Sequence, residues 1–202
     1  MQPRAIIKYI FDRFFALVAI ILLFPVLLII SVAIITGTGS PVFFRQIRAG
    51  RKGKPFTILK FRTMNASEYK NTVSIANDPR NTRVGAALRK WKLDELPELF
   101  NVLVGDMSFV GPRPDMTSYA ESLKGEDRKI LSLRPGITGP ATLKYINEEE
   151  ILAGVTNPVE YNDQVIYPDK VRINLKYLEQ YSLTEDLRII YHTLIRKKID
   201  EY

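Results

Sequence analysis

Residues 14–35 read FFALVAIILLFPVLLIISVAII, an apolar run without one charged side chain. As a helix rising about 1.5 Å per residue it reaches across a hydrocarbon layer of roughly 30 Å, so its fate decides what kind of protein this is. A secretory leader has a shorter apolar core, roughly 7–15 residues, and a small-residue cleavage site after it. Here the run is longer and continues into TGTGSPVFF, so the reading is a retained membrane segment. Pro25 falls near its middle. A proline lacks the amide proton for a helical hydrogen bond, crowds the preceding turn and steers the residue before it, Phe24, away from helical angles; a break is expected there.

Working outward, Arg4, Lys8 and Arg13 precede the run, and Arg45, Arg48, Arg51, Lys52, Lys54, Lys60 and Arg62 follow it, with no acid between Asp12 and Glu68. Basic flanks mark the cytoplasmic side of a membrane segment, and here both flanks are basic. Two topologies fit: a kinked span, since membrane helices tolerate proline, or a helix that dips in and returns. The net charge of +7 is concentrated beside the apolar block. Anionic lipid headgroups are its natural partners. Nucleic acid is the rival partner of a basic run, but no zinc-finger or RNA-recognition signature accompanies it, so no nucleic acid is expected. The chain has no cysteine, which excludes disulfides, thiolate metal sites and cysteine nucleophiles.

Beyond the membrane block, PVFFRQ and FTILKFRTM are rich in aromatic and β-branched residues and flank the turn-forming IRAGRKGKP, which predicts a short hairpin. GRKGKP is not a Walker loop, because Pro55 stands where Ser or Thr is needed. Residues 65–82 are polar and turn-rich and read as a loop on the surface or over a site. Helical spacing then sets Val84, Ala87, Leu88 and Trp91 on one stripe, and Leu96, Leu99, Phe100 and Leu103 on another, so two short helices meet near Asp94. Pro97 is acceptable in the first turn of the second helix, where amide protons have no intrahelical partner.

Residues 92–114 read KLDELPELFNVLVGDMSFVGPRP. The plain reading of Asp94 and Glu95 is an N-cap and a first-turn acid, together worth about 1–2 kcal/mol at a helix start. Their company points elsewhere. Arg89, Lys90 and Lys92 stand just before them, and Arg113 follows between Pro112 and Pro114. A stiff backbone holds a guanidinium ready for two phosphate oxygens. RPGITGP, residues 134–140, repeats that pattern, or else is a structural loop. Other candidates are weaker. His192 is the one histidine and reads as a polar-face residue; Glu148, Glu149 and Glu150 read as a solvated helix start. The terminal helix sets Leu187, Ile190, Tyr191 and Leu194 on one face and ends in Arg196, Lys197 and Lys198, and it either lies on the membrane or closes the core.

Taken in order, the proline-interrupted apolar run, PVFFRQIRAGRKGKPFTILKFRTM, NDPRNTRVGAALRKWKLDELPELFNVLVGDMSFVGPRP and RPGITG resemble the small membrane-associated phosphoglycosyltransferases among the bacterial sugar transferases. That family moves a sugar phosphate from a nucleotide diphosphate sugar to a polyprenyl phosphate. The resemblance implies that Asp94 is the catalytic aspartate, Glu95 its partner acid, and Lys60, Arg89 and Arg113 the cations for substrate phosphate. It implies Mg2+ held at Asp94, a UDP-sugar donor, an undecaprenyl phosphate acceptor, and a re-entrant helix at the bacterial inner membrane with the site on the cytoplasmic face. The expected fold is α+β, mainly α: a membrane-embedded helix over residues 1–36, broken at Pro25, and a compact helical catalytic domain over 37–202 carrying the small hairpin. After RPGITG many relatives continue with a Trp-Ala-Gln-type phrase where this chain has PATLKYINEEEILAG, which bears on the sugar and not on the acid pair. Neither the sugar nor the oligomeric state has a sequence signature. A basic lipid-binding scaffold and a metal-dependent phosphohydrolase are the competing classes.

Overall fold

The computed structural model describes residues 3–64 and 79–198. Most of the polar stretch read above as a loop lies outside the described residues. Helix α1 runs Pro3–Thr38, 36 residues, and is long and apolar enough to cross a membrane. It passes through Pro25 as one element. The break expected at Pro25 therefore does not divide the helix: a proline deletes one amide donor, and the turns on either side carry the helix past it.

Both ends of α1 dock on the rest of the chain. Near its start, Lys8 and Asp12 are buried; Lys8 Nζ lies 2.5 Å from Asp186 Oδ2, and Ala16 packs with Ile58, Val102 and Met107. Near its end, Leu27, Ile30 and Ile34 pack on Phe61 and Leu88. Between them, residues 17–26 include no buried side chain. Arg62, read above as part of the lipid-facing basic run, is instead 5% exposed and caps the C-terminus of α1. It donates to the carbonyls of Thr38 (2.9 Å), Gly39 (2.5 Å) and Ser40 (3.0 Å), the placement that orphan carbonyls and the negative end of the helix dipole favour.

The hairpin forms as the sequence predicts. Strands β1 (Phe43–Ala49) and β2 (Pro55–Phe61) pair antiparallel with Phe43 opposite Phe61. The first of the two short helices is α2 (Arg83–Trp91), capped by Thr82, whose hydroxyl accepts from the Gly85 amide at 2.9 Å. The second, α3 (Glu98–Val104), starts later than expected, with Pro97 at its N-cap and no capping side chain.

A second, parallel pair was not foreseen: β3 (Ser108–Val110) runs beside β4 (Gly136–Thr138), Ser108 opposite Gly136 and Val110 opposite Thr138. It joins GPRP to RPGITG by backbone-on-backbone contact. A Cβ on Gly111 would lie 2.2 Å from the Arg134 carbonyl oxygen, and one on Gly136 would lie 2.2 Å from the Gly111 nitrogen, so neither position has room for any side chain.

Among the described residues six more α-helices follow: α4 (Thr117–Ser122), α5 (Pro140–Lys144), α6 (Glu148–Ala153), α7 (Pro158–Tyr161), α8 (Tyr167–Gln180) and α9 (Leu183–Leu194). Val110, Leu143, Ile173, Tyr177 and Ile189 form the core between β3, α5, α8 and α9. Each large apolar side chain so buried contributes about 1.5–3 kcal/mol relative to water. On α9 the core-facing residue is Ile189, with Ile190 partly packed; Leu187, Tyr191 and Leu194 are exposed. The stripe read from the sequence is therefore largely the outward face.

Candidate active site

The chain turns sharply between α2 and α3. Lys92 ends α2 in the left-handed region (φ 58°), a conformation that is costly for a residue with a Cβ, and Leu93–Glu95 then form a single tight 3-10 turn. The result is that Asp94 and Glu95 are both buried, 7% and 8% exposed. They are not the start of the longer helix. The N-cap reading of Asp94 is overturned, because the residues before the two helical segments are Lys92 and Pro97, while Glu95 does stand as a first-turn acid, in the short 3-10 turn and not in α3.

Three cations converge on this turn. Lys60, from β2, places Nζ 2.7 Å from Glu95 Oε1 and 3.2 Å from Glu98 Oε1. Arg113, from the GPRP loop, donates to the same Glu95 oxygen at 2.8 Å. Arg89, in the last turn of α2, lies near enough to Asp94 to favour its charge and forms an ion pair with Glu149 of α6. The structure thus gathers all five residues singled out from the sequence: Asp94, Glu95, Lys60, Arg89 and Arg113.

Two further residues hold the arrangement and escaped the sequence reading. Asn101 of α3 accepts from the Leu59 amide (3.0 Å) and donates to the Thr57 carbonyl (2.8 Å), so one side-chain amide acts like a short third strand along β2. That fixes α3 against the strand carrying Lys60. Glu98, 2% exposed, is the second carboxylate on Lys60. An acid in a first helical turn reads as a dipole partner, which is why it drew no notice. An asparagine spaced one turn from a buried acid is the signal that could have found the first.

The two neighbouring acids are in opposite electrostatic states. Burial works against the charge of Glu95, but Arg113 and Lys60 outweigh it and hold its carboxyl well below the usual range. Burial raises Asp94, and the charge of Glu95 raises it further; Lys60, Arg89 and Lys92 pull it back only in part. Asp94 Oδ1 is buried and has no hydrogen-bond partner among the described residues. Glu98 is pushed up to about 7 by burial, against the pull of Lys60. Burial disfavours the charge of Lys60, yet Glu95 and Glu98 raise its pKa above the ordinary value.

An orphaned buried carboxylate oxygen costs about 1–3 kcal/mol or more and is maintained where something else will satisfy it. Among the described residues no group of three or more His, Cys, Asp or Glu side chains could cage a metal alone. Mg2+ does not need such a cage, being ordinarily bound by one or two carboxylates together with substrate phosphates and water, so the residues present fit that ion.

His192 is half-buried on α9, its ring set edge-on 5.9 Å from that of Tyr191. Glu148 and Glu149 do open a short helix, as expected, but are not simply solvated: Glu148 receives Lys170 Nζ at 2.7 Å and Glu149 holds Arg89. Arg134 of RPGITGP goes elsewhere, donating to the Gly105 carbonyl at 2.9 Å and stacking 4.4 Å from the Tyr9 ring.

Comparison with known proteins points one way. A family model described as bacterial sugar transferase matches residues 3–198. A UDP-glucose:undecaprenyl-phosphate glucose-1-phosphate transferase of Klebsiella pneumoniae is 38% identical over 188 residues, 90% of this chain and 38% of that protein. The exopolysaccharide production protein PSS of Rhizobium leguminosarum bv. phaseoli is 35% identical over 205 residues, 94% of each. An uncharacterized sugar transferase of Bacillus subtilis, EpsL, is 33% identical over 196 residues, 95% of this chain and 89% of the relative. This chain spans less than half the length of the glucose-1-phosphate transferases of Klebsiella pneumoniae and Escherichia coli that it matches.

Proposed function

This chain belongs to the bacterial sugar transferase family, and on that premise we propose that it transfers a sugar 1-phosphate from a UDP-sugar to undecaprenyl phosphate through a phosphosugar carried on Asp94. The observation that carries the proposal is the division of labour in the acid pair. Glu95 is tied to Lys60 and Arg113, while the neighbouring Asp94 keeps one buried carboxylate oxygen with no partner among the described residues.

Attack by a carboxylate on a diphosphate brings two anions together, so the charge must be offset before bonding distance is reached. Lys60, Arg89 and Arg113 surround the turn and supply that offset. Asp94 would hold Mg2+, which would supply further neutralisation of the developing phosphate charge. In the first step an Asp94 oxygen bonds to the β-phosphorus, the bond from that phosphorus to the bridging oxygen breaks, and UMP leaves with the electron pair. In the second, a phosphate oxygen of the polyprenyl acceptor attacks the same phosphorus, and the Asp94 carboxylate departs unchanged. One hard transfer becomes two easier ones. Glu95 fixes Lys60 and Arg113 and stays ionised, since both cations favour its charge.

The acceptor arrives in the lipid plane, so the site must lie at the bilayer boundary. The docking of α1 supports a helix that enters and leaves by one face. Its Lys8 end and its Ile34 end both pack on the same folded body, and the stretch between, 17–26, with Pro25 in it, has no fully buried side chain. A simple crossing would carry one of those ends to the far side. We assign that face to the cytoplasm of the bacterial inner membrane, where both basic flanks belong.

The test is UMP release from a panel including UDP-glucose and UDP-N-acetylgalactosamine, with and without undecaprenyl phosphate, for the native protein and Asp94→Asn. Native protein with donor alone is expected to gain the mass of a phosphosugar on Asp94, and the variant to gain none and to turn over at least about 10³-fold more slowly. Acceptor-independent hydrolysis would instead favour a phosphohydrolase, and no nucleotide release with any donor would favour a scaffold.

A further inference from the structure

Each cation assigned to the donor's phosphates already holds a carboxylate of this chain: Lys60 holds Glu95 and Glu98, Arg113 holds Glu95, and Arg89 holds Glu149. A diphosphate entering this site therefore meets occupied cations, and something must yield. The pairs differ in how firmly they are fixed. The Glu95 and Glu98 side chains are 10% and 3% exposed and come from the Asp94 turn and from the start of α3 just after it, whereas Glu149 is 36% exposed and reaches in from α6, about 50 residues further along the chain. Exposed ion pairs exchange partners readily because water screens them and solvates the freed carboxylate; buried ones do not.

We propose that Glu149 occupies Arg89 in place of the donor's phosphate and is displaced when the donor binds, which makes it a specificity-determining residue for the donor site. This rests on the donor reading given above. Its neighbour shows why Glu149 and not Glu148 plays this part. Both Glu148 oxygens lie 2.7 Å from Lys170 Nζ on α8, which anchors the start of α6 while leaving the next residue to reach Arg89. Arg89 in turn stands between the two acids that matter, paired to Glu149 and close enough to Asp94 to favour its ionised form.

The physical consequence is selectivity by competition. A ligand gains Arg89 only by outbidding a carboxylate already there, so a monophosphate or a stray anion gains little, and a diphosphate with contacts to Lys60 and Arg113 as well gains more. Once Glu149 departs, Arg89 presents its full charge next to Asp94 at the moment the donor is seated.

The experiment uses the full chain in nanodiscs and UDP as the probe, with affinity read by calorimetry. Glu149→Gln is expected to bind UDP about threefold or more tightly than the native protein, because an ionic competitor becomes a neutral one; Glu149→Asp is expected to stay within about twofold, and Glu150→Gln, an exposed neighbour, to match the native protein. With an active donor, KM falls in Glu149→Gln while kcat holds. Unchanged or weaker UDP binding by Glu149→Gln in a protein that still releases UMP overturns this inference and leaves the proposed function standing; weaker binding would make Glu149 a positioning residue for Arg89. A native protein that neither binds UDP nor releases UMP overturns both.

Discussion

Arg113 and Arg134 stand on loops of like sequence, GPRP and RPGITGP, and their backbones touch: the Gly136 amide donates to the Pro112 carbonyl at 2.8 Å. Their guanidinium groups nonetheless meet unlike partners. Arg113 meets Glu95, whose charge is the main reason its own pKa rises above the ordinary arginine value. Arg134 meets the Gly105 carbonyl and the ring of Tyr9, where Arg13 also stacks, at 4.1 Å. A proline-stiffened arginine is thus a rigid cation whose purpose is set by what the fold brings to it. One of the pair belongs to the acid turn, and the other closes the end of α3 against the start of α1.

The sharpest way to break this comparison is to remove each guanidinium in turn. Arg113→Ala leaves Glu95 with Lys60 as its remaining close cation and takes one positive charge from the proposed phosphate site, so kcat/KM is expected to fall about 100-fold, roughly 3 kcal/mol of transition-state stabilisation. Arg113→Lys keeps a charge but loses the planar fork and should recover only part of this. Arg134→Ala should change kcat/KM by less than about threefold. Equal losses at the two positions would mean that the division drawn here is wrong.

A second contrast lies between the two carboxylates on Lys60, Glu95 of the acid turn and Glu98 at the start of α3, and pH separates them. Glu98 is pushed up to about 7 from an ordinary 4.5 by burial. A carboxyl whose folded pKa is raised contributes stability that is complete below the unfolded value and lost as pH rises through the folded one. For Glu98 that window runs from pH 4.5 to about 7, and the loss is on the order of 3 kcal/mol at 1.36 kcal/mol per unit. Glu95, held low by Arg113 and Lys60 against burial, has the opposite sign: its contribution is present above 4.5 and fades as pH falls below that. Denaturant unfolding at pH 5 and pH 7.5 should show Glu98→Gln flattening the slope between them while leaving the acid side intact. A slope unchanged in Glu98→Gln would remove Glu98 from this account.

What the chain disclosed before folding follows physical range. The hairpin was legible because seven-residue strands of aromatic and branched side chains flank a basic turn, all within neighbouring residues. The acid pair and its three cations were legible as types and as company. Their pairing was not, because Lys60 and Glu95 stand 35 residues apart and are held together by tertiary contacts such as those of Asn101 between α3 and β2. The parallel β3–β4 pair was hidden by length, three residues each, and by glycines that look like turn formers but serve close approach. Arg62 illustrates the general difficulty. In sequence it is one more basic residue after an apolar run, and only the folded chain shows it spent on three carbonyls at the end of α1.

The smallest effect expected is the one that gives Arg134 its own role. Its Nε bond to the Gly105 carbonyl satisfies an acceptor at the end of α3, just where Gly105 turns left-handed (φ 97°). Its stacking on Tyr9 adds a cation–π contact, offset by the like charge of Arg13 over the same ring. One charge-assisted hydrogen bond and one partly exposed cation–π contact, less that repulsion, leave about 1–2 kcal/mol. Arg134→Ala should therefore lower Tm by about 2–6 °C for a chain of this size, provided that unfolding is followed in one detergent or nanodisc preparation throughout. Arg134→Lys keeps the charge without the planar stacking surface and should fall between. Because Tyr9 lies on α1, the same substitution should also loosen the start of that helix, read as faster amide exchange around Tyr9 than around Ile34, whose packing on Phe61 is untouched. Equal exchange at the two ends would separate Arg134 from the docking of α1 and leave it only the capping of α3.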